Sequence, residues 1–483
     1  MEHIDAIREE NRNNCYWQYS HQPLNYEKLT TDITTEVVVT GDGLAAVTVA
    51  YNLARSGKKV VLIAEKSLGT SGAGRTNSHL LTAVDNRYHR LEKIFGQEGT
   101  KMIAESHRKA IDHIERTAAE LNIDCEFERV DGFLFLHPSD KTSSLSSELK
   151  AAKNAGISVT DLPFVLGTNK HIPCLKFYDQ AQFHPLKYQK GLCDAFLRTG
   201  GKIYTNTEIA KIDRTGVITK AGHFVSARHI VVTGKEEADH KLYRTYTIAA
   251  RIRKNSVRKF LWWDTGDKKQ SKDLNPYHYV RIQKYDQDHD LLICGGQTHL
   301  VDHKNSVNAQ ERYVMLEGWM RDRFPVTDVI YRWSGDGYEP GNHVGYIGRK
   351  PGNENIYMVS GDSGHGNMNA TIAGLIIPDL IDNKENSWAK IYDPAAPVPS
   401  RITVAVKSFF RDSFSFIKKK MEFISSANTA VPLPLAYDIN VANAVKEDLG
   451  TDGLHSAGNI YWNNDEESWD RLQQKRKLSY GQK

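Results

Sequence analysis

The sequence predicts an α/β fold with a Rossmann-like dinucleotide-binding part. Two stretches carry that reading. In Glu36–Glu65 a strand, a glycine turn, a helix, a second strand and an acid follow one another, and in Ile356–Ile381 a strand runs through a second glycine-rich turn into a helix. A chain of 483 residues is long enough to bury a large core in two or three domains.

Glu36–Thr40 is β-branched and nearly all apolar, as suits a strand covered on both faces of a parallel sheet. Gly41 permits the tight turn out of that strand, Gly43 lets the backbone approach a pyrophosphate, and Ala46 fills the third small position where helix and strand pack. The helix expected over Leu44–Ser56 aligns Val47, Ala50, Leu53 and Ala54 on one face, and Gly57 stops it. Its first residues, Leu44 and Ala45 among them, offer N–H groups and a partial positive charge to an anion. Val60–Ala64 reads as the second strand, and Glu65, followed by Lys66, stands where a carboxylate can accept hydrogen bonds from ribose hydroxyls.

Lys66–Leu81 is a polar loop containing Gly69-Thr70-Ser71-Gly72-Ala73-Gly74-Arg75-Thr76. Helices are expected over Arg90–Leu121, Ser143–Ala155 and Pro185–Arg198. Strands are expected at Phe127–Leu136, Leu175–Tyr178, Ile203–Asp213, Val217–Thr219, Phe224–Thr233 and Tyr277–Ile282. The loop Gly361-Asp362-Ser363-Gly364-His365-Gly366-Asn367-Met368 opens the last helix and can aim N–H dipoles at a bound anion.

Composition narrows the function classes. With 63 basic and 59 acidic residues the net charge is only +4, which argues against a dedicated nucleic-acid binder. The charged stretch Met1–Asn14 lacks the apolar core of a signal peptide, and no run approaches a membrane span, so a soluble cytoplasmic protein is expected. Cys15, Cys125, Cys174, Cys193 and Cys294 are scattered and odd in number, which fits reduced thiols and offers no metal-ligand pair.

The ordered set of fingerprint, Gly-Thr-Ser-Gly-Ala-Gly-Arg-Thr loop, Ala181–Tyr188, Tyr331–Ser334 and Gly345–Arg349 resembles FAD-dependent oxidoreductases of the D-amino-acid oxidase class. The likeness is to the subgroup fused to a C-terminal Rieske iron–sulfur domain. It implies a FAD domain in three parts, about 30–120, 185–235 and 325–392, interleaved with a sheet-rich α+β substrate domain, about 121–184 and 236–324. It also implies roles: Gly41, Gly43 and Ala46 at the pyrophosphate, Glu65 at the adenosine ribose, and Ile209 against the adenine. Ser71, Gly72, Arg75 and Thr76 would pass near the pyrophosphate and flavin, and Gly361, Gly364, His365, Gly366, Asn367 and Met368 near the N1/C2 edge of the ring. Amino-acid oxidases of this class commonly pair an arginine near the Tyr331–Pro340 region with the substrate carboxylate. None occurs here between Trp333 and Pro340, which points away from a conventional amino-acid substrate. Arg281, His299, Tyr338 and His365 are polar candidates for the cavity, and no catalytic residue is assigned.

Asp393–Ser400, with three prolines, reads as a linker, and 401–483 as a degenerate, mainly β Rieske-like region. Ile460–Asp470 looks like the stretch between the two ligand loops of such a domain. A Rieske cluster takes two cysteines and two histidines. This chain has no cysteine after Cys294 and only His455 in the tail, so no iron–sulfur cluster and no other metal site is expected. The favoured function is an FAD-dependent oxidoreductase acting on a small amine-like or related molecule, its electrons passing to oxygen or an external acceptor. A catalytically impaired flavin-binding module is the alternative. An NAD-dependent dehydrogenase is disfavoured by the second glycine loop.

Overall fold

The computed structural model describes residues 15–70, 72–234, 240–269, 276–301 and 308–396. Ser71, part of the linker and the whole Rieske-like tail lie outside the described residues. Two sheets organise the rest.

The first sheet grows from β1 (Ile33–Thr40), whose Val37, Val38 and Val39 are fully buried. Beside it lie β2 (Val60–Ile63) and β7 (Lys202–Tyr204) on one side, and β10 (Phe224–Thr233), β17 (Ile356–Ser360) and β16 (Tyr346–Arg349) on the other. All but β16 run parallel. The hairpin of β8 (Ile209–Asp213) and β9 (Gly216–Thr219) attaches through β9 to β10. Helix α2 (Leu44–Arg55) follows β1, and α7 (Gly366–Ile381) follows β17, so both helices begin at the carboxyl edge of the parallel strands, where open α/β sheets bind ligands. The two helices touch: Asn52 Nδ2 donates to the Gly374 carbonyl at 2.8 Å.

The second sheet has the order β15 (Val329–Glu339), β11 (Lys241–Arg253), β14 (His289–Leu300), β13 (Tyr279–Lys284), β12 (Leu261–Asp264), β4 (Glu128–Phe135), β6 (Cys174–Gln182) and β3 (His79–Leu80), with β5 (Val159–Leu162) on β6. It is antiparallel except between β12 and β4. Alternate residues of β11 and β14, among them Ile248, Ala250, Ile252, Leu292 and Cys294, pack with Leu316 and Met320 of α6 (Ala309–Arg321) into a core of their own.

The remaining helices are α1 (Tyr16–Ser20), α3 (Tyr88–Glu120), α4 (Thr142–Asn154), α5 (Pro185–Arg198) and α8 (Ala389–Tyr392). The sequence places these broadly, with informative differences. Within α3, Gly96 leaves helical geometry at φ 67°, ψ 178°, so the expected single helix is two, joined at a glycine that tolerates that backbone. The strand expected over Ile203–Asp213 is two strands, because Thr205 and Thr207 turn away to bond the Tyr26 and Leu29 amides. His184 caps α5, accepting from the Lys187 amide at 3.3 Å ahead of Pro185. Strands β3 and β15 fall in stretches assigned by sequence to the FAD part, yet both pair within the second sheet. All five cysteines are buried and free. Among the described residues no helix is long and apolar enough to cross a membrane.

Candidate active site

At the end of β1, Gly41 adopts φ +134°, and a Cβ there would overlap Thr233 Oγ1 at the end of β10. Thr233 in turn donates to the Thr40 carbonyl at 3.0 Å, which fixes the exit of the strand. Gly43 is different. It caps α2 in extended geometry, with no side chain capping the helix, and nothing lies within 4 Å of where its Cβ would project. The space and the uncapped N-terminal turn formed by Leu44, Ala45 and Ala46 suit a phosphate. Across the strand edge, Glu65 is exposed, and its Oε1 accepts from the Ile209 amide at 3.3 Å. Lys66 beside it is exposed and Ile209 half-buried.

The loop after β2 tightens into a short 3-10 turn at Gly72–Gly74 and is then gripped through its backbone. The Thr76 carbonyl accepts from Trp17 Nε1 at 2.6 Å, the Arg75 carbonyl accepts from Trp333 Nε1 at 3.2 Å, and Arg75 Nη1 donates to the Ser334 carbonyl at 3.3 Å. Arg281, only 1% exposed, donates to the carbonyls of Asn77, Ser78 and Phe183 and to Gln283 Oε1, and its guanidinium lies 5.3 Å from the Trp17 ring. Burial pulls its pKa down to about 10. These contacts make Arg281 a support for the loop.

The second loop meets the first, since Asn367 Nδ2 donates to Thr76 Oγ1 at 3.4 Å. Its turn is held from several directions. The Tyr338 carbonyl accepts from the amides of Asp362 and Ser363 at 3.0 and 3.2 Å. Asp362 Oδ1 accepts from the Gly364 amide at 3.1 Å and from the Tyr243 hydroxyl at 2.9 Å. His365 Nε2 accepts from the Asp85 amide at 2.8 Å, and the Tyr277 hydroxyl donates to the Asp85 carboxylate. Gly364 has φ +82°, and a Cβ there would strike Asp85 Oδ2. Gly364 and Gly366 themselves are exposed, while His365, Asn367 and Met368 are buried. No side chain caps α7.

Burial sets the protonation states. It lifts Asp85 to about 6 against the opposing pull of the Tyr277 hydrogen bond, Arg87 and His107. Asp362 is likewise raised to about 6 by burial, against its bonds from Gly364 and Tyr243. Burial and Arg87 push His365 down to about 4, so at neutral pH its ring is uncharged and Nε2 is an acceptor.

Thus the structure brings the 75–76 and 361–368 residues together, with Gly41–Ala46 and Glu65–Ile209 along the carboxyl edge of the same sheet. Tyr338 serves the turn through its carbonyl. His299 stacks on Tyr246 with ring centres 5.8 Å apart, on a strand away from the turn's own hydrogen bonds. Asp85, Tyr243, Tyr277 and Trp17 were missed by sequence reasoning. Only their convergence from distant segments reveals them, and no local motif could have. Among the described residues no group of three or more His, Cys, Asp or Glu could hold a metal ion.

The family model described as DAO, FAD dependent oxidoreductase, matches residues 36–380. The chain belongs to this family. Of its relatives, YhfW of Bacillus subtilis, which carries the name of a Rieske 2Fe-2S iron-sulfur protein, is 26% identical over 94% of this chain and 92% of its own. That match must enter the segment beyond residue 400, since residues 1–400 of 483 are a smaller share than 94%. Gamma-glutamylputrescine oxidoreductase of Escherichia coli is 23% identical over 79% of this chain and 92% of its own. Among solved structures, glycine oxidase from Bacillus cereus superposes with a TM-score of 0.60 at 16% identity, covering 75% of this chain and 99% of that one. The last likeness establishes the fold, which is that of the DAO-type flavoenzymes.

Proposed function

We propose that this oxidoreductase oxidises a small amine-like substrate with FAD and releases the electrons to oxygen or to an external acceptor. The observation that carries the reading is the contact between Thr76 and Asn367, which joins two loops of distant sequence into one site. The residues present fit the cofactor. The open space at Gly43 and the uncapped start of α2, with Leu44, Ala45 and Ala46, would receive the pyrophosphate behind the turn at Gly41. Glu65, with Lys66 and Ile209 beside it, would hold the adenosine end. Gly72, Arg75, Thr76 and Ser71, the last outside the described residues, would line the path to the ring, and Gly361–Met368 would direct the N-terminal dipole of α7 toward it.

When bound, FAD supplies the two-electron acceptor for the substrate C–H bond. The protein's share is to position the substrate, exclude water and manage one amine proton. The name of gamma-glutamylputrescine oxidoreductase, a relative, agrees with an amine. So does the lack of arginine from Trp333 to Pro340. A cytoplasmic enzyme whose tail holds no cluster completes the reading. Its test is a visible spectrum of the purified protein followed by anaerobic reduction with a panel of amines. A yellow protein bleached by an amine supports the reading, a colourless one sinks the cofactor, and a yellow one that no substrate bleaches favours a flavin-binding module.

A further inference from the structure

Apart from the N–H groups that open α7, the side chains around the Gly361–Gly366 turn offer a ligand acceptors more than donors. Asp85 and Asp362 each receive a tyrosine hydroxyl, from Tyr277 and Tyr243, and each retains acceptor capacity. Among the polar atoms buried without a hydrogen-bond partner, two bear on this pair. One is Ser363 Oγ, in the turn itself on a residue 4% exposed. The other is Nε2 of His79, a residue 9% exposed whose ring lies 5.7 Å from Tyr279, the ring neighbour of Tyr277 at 5.8 Å. Orphaned buried polar atoms are rare and call for a partner.

The nearby guanidinium groups are meanwhile engaged. Arg87 donates to the Asp264 carbonyl at 3.0 Å and lies 5.7 Å from the Tyr277 ring. Arg244 is matched in a bidentate pair with Asp336 at 2.6 and 2.8 Å, and Arg281 gives its Nη donors to backbone carbonyls and Gln283, which leaves its buried Nε without a partner. A substrate carboxylate would find few unengaged donors, whereas an ammonium, with two or three N–H groups, would find several acceptors.

We propose that Asp85 and Tyr277, beside the Gly361–Gly366 turn, receive the ammonium group of the substrate, and that the substrates are therefore amines without a carboxylate next to the reacting nitrogen. The proposal rests on the FAD reading above and goes beyond it in naming the residue pair and the substrate class. The geometry also supplies the proton step that amine oxidation needs. One N–H bond of the ammonium breaks toward Tyr277 Oη while the Tyr277 O–H proton moves to Asp85 Oδ2. The nitrogen keeps the electron pair, the carboxylate becomes a neutral acid, and nothing is oxidised.

Asp85 must be ionised for this. The groups facing it are Tyr277 before β13, Tyr279 of β13, Arg87 on its own segment, His107 of α3 and His365 at the start of α7; Glu339 of β15 stands nearby and faces Asp362 and His365. Simple amines stay protonated from pH 5 to 8, so binding follows the carboxyls, Asp85 first and Asp362 behind it, and strengthens as pH rises through about 6.

The test uses the holoenzyme and tert-butylamine, an amine with no α C–H bond, so that binding is read without turnover. Calorimetry and the shift of the flavin spectrum should show binding about tenfold weaker at pH 5 than at pH 7. Asp85→Asn should bind weakly at both pH values, with most of the pH dependence gone. Tyr277→Phe should keep the pH dependence, bind tert-butylamine more weakly than wild type and lose about tenfold in kcat on an oxidised amine. Benzylamine should be preferred over phenylglycine in kcat/KM. Wild-type binding that ignores pH, unchanged affinity in Asp85→Asn, or preference for the amino acid would each overturn the proposal. A colourless preparation sinks the FAD reading separately, and calorimetry with tert-butylamine still reads the subsite.

Discussion

The two glycine loops solve one problem by different means. At Gly41–Ala46 nearly everything needed is local: a buried strand, a turn that only a small residue can make, an uncapped helix start and an acid one strand later, with Thr233 of β10 as distant support. At Gly361–Met368 the turn is held by Tyr338, Tyr243, Asp85 and Tyr277, which come from β15, β11 and the segments before α3 and β13. The first loop is shaped within the first sheet, by its own residues and by Thr233 of β10. The second is held in place by residues of the other sheet and its flanking segments, so its shape depends on how that sheet packs.

Substitution should separate the two kinds of support. The largest effect is expected at Gly41, where a side chain meets both φ +134° and the Thr233 hydroxyl. Gly41→Val should cost roughly 3 kcal/mol or more of stability and abolish flavin retention, read by thermal melting and absorbance. Gly43→Val has free space and ordinary φ, so it should melt within a few degrees of wild type yet bind FAD at least tenfold more weakly, measured by fluorescence quenching. If both variants melt alike, the contrast between a structural and a ligand-facing glycine fails.

Asp362 tests the second loop through pH. Its folded pKa, about 6, lies above the ordinary carboxyl value of 3.8, so the folded state holds the proton more tightly than the unfolded chain. The stability this confers is fully present below pH 4 and lost as pH rises through 6. Asp362→Asn should therefore melt higher than wild type at pH 7.5, by on the order of 2 kcal/mol, with the advantage fading by pH 4. A variant less stable than wild type at pH 7.5 would mean that the ionised carboxylate is worth more to the Gly364 and Tyr243 bonds than its burial costs. The smallest effect belongs to Thr76→Ala, which removes the long bond from Asn367 at 3.4 Å and the local bond from the Ser78 amide at 3.1 Å, and should weaken FAD binding less than threefold while lowering the melting temperature by no more than a few degrees.

The same contrast explains what the sequence makes legible. Strands β1, β2, β10 and β17 and helices α2, α5 and α7 announce themselves through β-branched runs, apolar periodicity and glycine or proline punctuation. The residues proposed to face the cofactor are legible for the same reason, because a phosphate cradle is written in consecutive positions. The long strands β11 and β15 are harder to read, being rich in Arg, Tyr and Gly and half exposed on one face. The clamp of Asp85, Tyr277, Tyr243 and Asp362 spans nearly 280 residues of chain and has no local signature. Arg281 shows the converse: a lone arginine on a strand looks like a ligand for a carboxylate, and only its bonds to Asn77, Ser78, Phe183 and Gln283 reveal that its donors serve the loop.

The claim that both loops belong to one FAD site is tested most directly by the absorption spectrum of the purified wild-type protein. The account predicts flavin bands with about one FAD per chain, reduced in Gly43→Val although that variant stays folded. A folded wild-type protein that is colourless and takes up no FAD on reconstitution would contradict it.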